Sequence, residues 1–274
     1  MDREKLDYDG PIEVAEGIYW VGYADDNAGL HCNPYLIVEG DEAVLIDGGS
    51  RDDFSTVMMK ILQTGVDPNQ IQRLIYQHYD PDLCGSIPHF ESLIKNDDLK
   101  ILSHRENNIF IKYYSSSRPK ECIEALGMSF TFATGRKLEF VRTPYAHSQG
   151  SFMTYDTKTG TLFSSDIFGS YDKIWELFIE MKDTCKACKP SPVCHYEDYP
   201  CIVSGIIDFH KRIMTSGKAL KYALGKIKEI DPVIIAPQHG SVVGSRRWID
   251  TVYTHLIKEE QIGIDWYLEE MKHE

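Results

Sequence analysis

The sequence predicts an α/β fold in which two mixed β sheets are packed together, with helices outside. Strands and helices occur in two similar sets: strands first, then a mixed run, then strands again, then helices. The apolar runs are of strand length, and the longer amphipathic stretches have helical spacing. No linker rich in Gly, Ser or Pro and no clean repeat interrupts the chain, so residues 1–274 are expected to form a single domain.

The N-terminal part reads as a β meander. Ile12-Glu13-Val14 leads to Gly17–Gly22 and then to Pro34–Val38; Glu39–Glu42 is a turn, and Ala43–Asp47 follows. Asp47-Gly48-Gly49-Ser50 closes that strand with a corner where backbone can pass close to another segment. Asp47 is expected to form the turn, or at most to support ligands from behind. Asp53 to Gln63 predicts a helix with Phe54, Val57, Met58, Ile61 and Leu62 on one side, stopped by Gly65. Asp67–Gln70 is a turn. Leu74–Tyr76 and Ile101–Ser103 are strands, and His104 to Tyr114 is a helix broken by Ser115–Pro119. Phe130–Phe132, Leu138–Arg142, Ser151–Tyr155 and Thr161–Ser164 predict the second run of strands. Tyr171 to Lys182 predicts a helix, and Ile202 to Lys228 one or two, with Gly217 as the break. Val233–Ala236 is a last buried strand, and Arg246 to His273 a closing helix.

Hydrophobic residues make up 42% of the chain and mean hydropathy is -0.32, which suits a full core. No apolar run approaches the roughly 18–20 residues of a bilayer span. The start, Met1–Lys5, has no apolar segment behind it, so no secretory signal is expected. A net charge of -13, from 29 basic and 42 acidic residues, argues against a nucleic-acid partner. Seven cysteines without a signal suggest thiols or metal ligands in a reducing cytoplasm.

The stretch Tyr76-Gln77-His78-Tyr79-Asp80-Pro81-Asp82-Leu83-Cys84-Gly85-Ser86 follows a buried strand. In extended backbone the side chains of His78, Asp80 and Asp82 leave on one side. Two carboxylates placed so repel each other unless a cation sits between them. The competing reading is a solvated loop rich in Asp and Pro. Further along, His147 falls in a loop between strands, Asp166 just beyond Leu162-Phe163-Ser164, and His239 just beyond Val233–Ala236. Each alone is a weak signal, but loops at strand ends are where functional residues collect.

In this order, the motifs His-x-acid-x-Asp, loop His, strand-end Asp and Pro237-Gln238-His239-Gly240 resemble the metallo-β-lactamase fold, an αββα sandwich. Asp47-Gly48-Gly49 matches its Asp-Gly-Gly corner, and the resemblance covers about residues 10 to 260. Hydrolases of that superfamily usually carry His-x-His-x-Asp-His and bind zinc. Asp80 at the second position is similar instead to the di-iron domain of flavodiiron proteins, where the position is Glu. Mixed imidazole and carboxylate sets suit iron that changes oxidation state. The resemblance implies that His78, Asp80 and His147 hold one iron, that Asp82 and His239 help hold the other, and that Asp166 bridges the pair. The residue after Asp82 should be a metal-binding His and is Leu83. His89 is a candidate substitute, two turns from Asp82 if that segment is helical, against a plain surface His near the cleft.

What the resemblance implies is a stand-alone non-haem di-iron protein that binds dioxygen. It would act as an oxygen sensor, or as a slow oxygen or nitric oxide reductase with a separate electron donor. The chain ends at Glu274, about where a di-iron domain ends, and shows no phosphate-binding Gly loop, so no FMN is expected in it. The alternative is a dinuclear zinc hydrolase of a thioester, lactone or phosphoester; Asp80 and Leu83 count against it. An electron donor or signalling protein and a second copy of the chain are the expected partners.

One motif lies outside that scheme. Cys185, Cys188, Cys194 and Cys201, with His195, occupy a Pro-rich insert around residues 183–202. A Cys-x2-Cys pair has chelating geometry. A structural zinc, an iron–sulfur cluster and plain thiols are all open readings. Cys84 reads as a small buried filler.

Overall fold

The computed structural model describes residues 6–23, 30, 32–115, 118–171, 175–196 and 199–272. It contains two mixed sheets with flanking helices. The first has the order β1-β2-β3-β4-β5-β6-β7 and the second the order β12-β11-β10-β9-β8. By contact density the chain divides into two compact units: Met1–Ala24, Cys32–Phe140 and Asp156–Thr159, and then Asp25–His31, Val141–Tyr155 and Gly160–Glu274.

In the first unit, β1 (Ile12–Ala15), β2 (Ile18–Trp20), β3 (Tyr35–Glu39) and β4 (Glu42–Ile46) form the expected meander. The turn between β3 and β4 places Gly40 at φ +60°, a conformation that glycine adopts without steric cost. From β4 the chain crosses through α1 (Phe54–Gln63) to β5 (Ile71–Ile75), which pairs with β4 in parallel; β6 (Lys100–Ser103) and β7 (Lys120–Cys122) continue in parallel. Between them lie α2 (Pro81–Cys84), α3 (Ile87–Leu93) and α4 (Arg105–Ile111). One core holds Leu36, Leu45, Val57, Ile61, Leu74, Leu83, Phe90 and Ile101. β7 was not foreseen, because Lys120-Glu121-Cys122 has no apolar run.

α1 buries Val57, Met58 and Ile61 as expected but leaves Leu62 exposed and buries Lys60 instead. The Lys60 ammonium donates to the Tyr8 and Gly22 carbonyls at 2.6 and 2.7 Å and lies 4.0 Å from the centre of the Trp20 ring. Burial pulls its pKa down to about 8.

The second sheet is formed by β8 (Ser129–Thr131), β9 (Lys137–Arg142), β10 (Phe152–Asp156), β11 (Thr161–Phe163) and β12 (Ile234–Ala236). α5 (Ile202–Ile213), α6 (Gly217–Ile230), α7 (Arg246–Leu256) and α8 (Ile264–Glu270) belong to the second unit. Its core gathers Met153, Leu162, Ile167, Ile206, Leu220, Leu224, Ile235, Val252 and Leu256.

Two expected helices are corrected. No helix occurs over Tyr171 and residues 175–182; residues 172–174 of that expectation lie outside the described residues. Leu177, Ile179 and Met181 are buried in alternation, the period of extended chain. The Ile179 and Val242 amides are taken up in pairing with Val242 and Leu177. The closing helix is two helices separated by residues 257–263, with Gly263 as the N-cap of the second. There φ is +62°, and a Cβ would lie 2.2 Å from the Met214 carbonyl oxygen; His273 lies outside the described residues. Among the described residues, no helix is long and apolar enough to cross a membrane.

Candidate metal centre

The opening stretch is not extended throughout. Pro81 fixes its own φ, pushes Asp80 into extended backbone (φ -69°, ψ 154°) and starts α2. Asp80 is therefore the N-cap of α2, but its side chain makes no cap hydrogen bond, and Asp82 lies in the first helical turn. The alternation expected for His78, Asp80 and Asp82 ends at Asp80, because a helical turn replaces the last extended step. His78 is buried, and its Nε2 lies 3.9 Å from Asp80 Oδ2. Asp82 is half-buried.

A network fixes the backbone beside His78. Asp47, buried and at φ +54°, accepts the Gln77 amide on Oδ1 at 3.2 Å, while its own amide donates to the Ile75 carbonyl at 2.8 Å. Ser103 Oγ donates to the Tyr76 carbonyl at 2.5 Å, and Asn107 Nδ2 to the Gln77 carbonyl at 3.3 Å. The Asp-Gly-Gly corner is tied to the same loop: Ser86 Oγ donates to the Gly48 and Gly49 carbonyls at 2.8 and 3.0 Å. Gly48 is required there, since a Cβ would sit 2.6 Å from Ser86 Oγ. Asp47 thus anchors the backbone at Gln77 from the corner it was expected to form; Ser103 and Asn107 were not foreseen, because an isolated polar residue at a strand end or in a helix carries no distinctive spacing.

Leu83 faces inward: it is fully buried and belongs to the core cluster. Beside it Cys84 is also buried, as expected of a filler. Burial, with the charges of Asp47, Asp82 and Asp80, pushes its thiol well above the usual range. His89 lies on α3, a separate helix from α2, and stacks on Phe54 with ring centres 4.9 Å apart. The continuous helix expected to place it two turns from Asp82 is interrupted at Gly85 and Ser86.

In the second unit, β11 delivers Asp166 and β12 delivers His239, while His147 follows β9 in the loop before β10. Asp166 is 1% exposed. Its Oδ2 lies 3.1 Å from His147 Nε2 and its Oδ1 3.7 Å from His239 Nε2, so each carboxylate oxygen faces a different imidazole. The loop after Asp166 is held from α5. His210, fully buried, donates from Nδ1 to the Ile206 carbonyl at 2.7 Å and accepts the Phe168 amide on Nε2 at 3.1 Å. Burial pulls its pKa down to about 4, so the ring is neutral and its tautomer is set by these two bonds. Phe209, next to it, lies 5.7 Å from the His239 ring. His210 was also unforeseen; a His among the apolar positions of an amphipathic helix is the signal that could have found it.

The four insert thiols are all free and half-buried. Cys185 ends up on a 3₁₀ turn (Asp183–Lys186), and Cys201 caps α5. His195 Nε2 lies 3.2 Å from Ser191 Oγ and 3.1 Å from the Lys189 carbonyl, both within its own loop.

Two mixed sheets with flanking helices, bearing His and Asp on strand-end loops, define a metallo-β-lactamase-fold protein. The sequence matches the ODP family beta lactamase over residues 30–240, and the chain belongs to that family. A solved structure described as the peroxy di-iron species of the chemotaxis sensor ODP is similar with a TM-score of 0.72 and 24% identity, over 93% of this chain and 94% of that one. The flavodiiron protein from Giardia intestinalis is similar with a TM-score of 0.73 and 18% identity, over 93% of this chain and 61% of that one. An anaerobic nitric oxide reductase flavorubredoxin from Enterobacter is 30% identical over 58% of this chain and 35% of its own length. The chain likewise spans 24% to 56% of the length of matching diflavin flavoproteins and a Methanocaldococcus jannaschii protein.

Proposed function

We propose that this chain is a non-haem di-iron protein that binds dioxygen and serves as an oxygen sensor. The observation that carries the reading is the buried carboxylate of Asp166, with its two oxygens turned to the imidazoles of His147 and His239. A carboxylate can offer both oxygens at once, which is what a bridge between two cations requires. In this reading, which the family resemblance implies, His78, Asp80 and His147 serve one iron and Asp82 and His239 serve the other. Within the second unit, His147 and Asp166 are both among the residues able to offer a ligand atom to a metal ion. His89 would serve as the substitute ligand for the one missing at Leu83 only if α3 shifts, and its stacking on Phe54 supports a packing role instead.

When bound, the iron pair supplies the electrons that a diatomic gas accepts. The chain's own residues do the rest. Asp47, Ser103 and Asn107 hold the backbone that aims His78, and His210 holds the loop that aims Asp166. Asp80, placed where zinc hydrolases have an imidazole, favours the higher-charged ferric ion. Leu83 withholds a ligand and leaves room for a small molecule. A similar structure is that of a chemotaxis sensor, and a relative is a nitric oxide reductase. These support a gas ligand, with nitric oxide as the second candidate and a signalling protein or electron donor as the partner.

Metal analysis with an anaerobic oxygen titration tests the reading. Iron near about two per chain, with a visible band appearing on addition of oxygen to the reduced protein, is expected. Zinc at both positions together with hydrolysis of a thioester would refute it. Turnover with a chemical reductant then separates a reductase from a sensor.

A further inference from the structure

Two ligand loops of the second unit, those of His147 and Asp166, each contain a residue in a backbone conformation that side chains disfavour. Tyr145, two residues before His147, has φ +64°, and Phe168, two residues after Asp166, has φ +72°. Bulky residues stay in that region only where their surroundings hold them. Part of the hold is internal. The Tyr145 amide donates to the Ser148 carbonyl at 2.7 Å, the Ala146 amide to the Thr143 carbonyl at 3.1 Å, and the Gly169 amide to the Asp166 carbonyl at 2.9 Å. These bonds close the turns from within.

A further grip on both loops comes from one short stretch, residues 210–216, where α5 ends and the chain turns into α6. His210 Nε2 accepts the Phe168 amide at 3.1 Å, and Thr215 Oγ1 donates to the Tyr145 carbonyl at 2.6 Å. In each loop the residue gripped is the one at left-handed φ. The stretch is itself tied together, since the Met214 amide donates to the His210 carbonyl at 3.2 Å and Ser216 Oγ accepts the Ala219 amide at 3.3 Å to cap α6.

The same stretch is the seat of α8. The Gly263 amide donates to the Lys211 carbonyl at 2.9 Å, the Ile264 amide to the Thr215 carbonyl at 3.2 Å, and Ser216 and Gly263 form an antiparallel bridge. Gly263 fits so closely, at φ +62°, that a Cβ there would press on the Met214 and Thr215 carbonyl oxygens. No residue of α8 is buried, so this seat is the main hold on the helix. A shift of α8 is therefore passed to the backbone that grips both loops.

We propose that residues 210–216 form one positioning element for both ligand loops, with Thr215 as the positioning residue of the His147 loop, and that α8, through Gly263, moves His147 and Asp166 together. Metal–ligand distances tolerate about 0.2 Å of error, so a joint that displaces two ligands at once regulates metal affinity without touching the metal. That consequence rests on the di-iron reading; the coupling of the loops does not. The bond from Thr215 to Tyr145 lies at the surface, where water replaces a lost donor, so its removal relaxes the aim of the loop and leaves the fold in place.

The test compares the full wild-type chain with four variants. Thr215→Val keeps the shape and removes the donor, and Thr215→Ser keeps the donor. Gly263→Ala forces the joint, and Ile264→Pro removes only the amide tie to Thr215, at a first helical position that suits proline. Hydrogen exchange of the metal-free proteins, read by mass spectrometry, is the first measurement. Thr215→Val should speed exchange around Tyr145 about fivefold, the worth of one neutral hydrogen bond, with Thr215→Ser near the wild type. Gly263→Ala should speed exchange around Tyr145 and Phe168 by similar factors, and Ile264→Pro should do so in smaller measure. The second measurement is ferrous-ion affinity without oxygen, by chelator competition. Thr215→Val should lose about fivefold while its urea midpoint stays that of Thr215→Ser. Faster exchange confined to one loop in a folded α8 variant, wild-type exchange around Tyr145 in Thr215→Val, or an equal change in Thr215→Ser would each overturn the proposal. A wild type that binds no iron refutes the di-iron reading and leaves the exchange results to decide on the joint.

Discussion

His210 makes the fold sensitive to acid in a way that can be isolated. Its ring is fully buried, with both nitrogens in hydrogen bonds to backbone, and its pKa lies at about 4 against an ordinary 6.5. The folded state thus resists the proton that the unfolded chain accepts. A group depressed in the folded state contributes stability above its unfolded pKa, and this is lost as pH falls towards the folded value. The full difference between 6.5 and about 4 corresponds to about 3 kcal/mol. By pH 5 most of it is gone, a loss of about 2 kcal/mol relative to pH 7.5. His210→Gln can still donate to Ile206 and accept from Phe168 but does not titrate. Urea unfolding of both proteins at pH 7.5 and pH 5 should show the wild type losing about 2 kcal/mol more than the variant. Other titrating groups are common to both and cancel in the comparison. Parallel pH dependence would refute the reasoning, since it would mean that His210 is as easily protonated folded as unfolded.

Three further outcomes are expected. Asp156 and Arg136 form a buried two-pronged ion pair, Nε to Oδ1 at 2.9 Å and Nη2 to Oδ2 at 2.8 Å, so Asp156→Ala should lower unfolding free energy by about 3–5 kcal/mol in urea titrations. Gly48→Ala places a methyl 2.6 Å from Ser86 Oγ and 2.9 Å from the Tyr76 hydroxyl. It should cost about 1–3 kcal/mol and also lower iron occupancy, measured by metal analysis, because the corner and the His78 loop shift together. Asp166→Ala should reduce bound iron to half or less, with far-ultraviolet circular dichroism unchanged; retention of the full iron content would remove Asp166 from its assigned role.

Apart from β7, the sheet strands were legible because most are short apolar runs closed by a turn residue. So were α1, α5 and α6, whose apolar positions recur at helical spacing. Residues 171–182 misled because Leu177, Ile179 and Met181 alternate inside a stretch whose other residues also suit a helix. The pairing of Leu177 and Ile179 with Val242, far away in sequence, decided the conformation. The turn at Gly263 that starts α8 lies against the Met214 carbonyl, a neighbour that no local pattern reveals. In the site, the imidazoles and carboxylates stood out by residue type and strand-end position. The Asp166 arrangement with His147 and His239 follows from β11, β12 and the β9–β10 loop belonging to one sheet end. Asp82 was misjudged in conformation because Pro81 starts a helix as readily as it ends a strand.

The inward orientation of Leu83 bears on how such a site could change. An imidazole introduced there would not simply reach towards a metal. It would vacate a space packed by aliphatic and aromatic neighbours and carry a polar ring into it. Reverting this position to the hydrolase pattern therefore requires compensating changes on the core side of α2, so the identity of residue 83 is tied to the packing of the interior as much as to any ligand set.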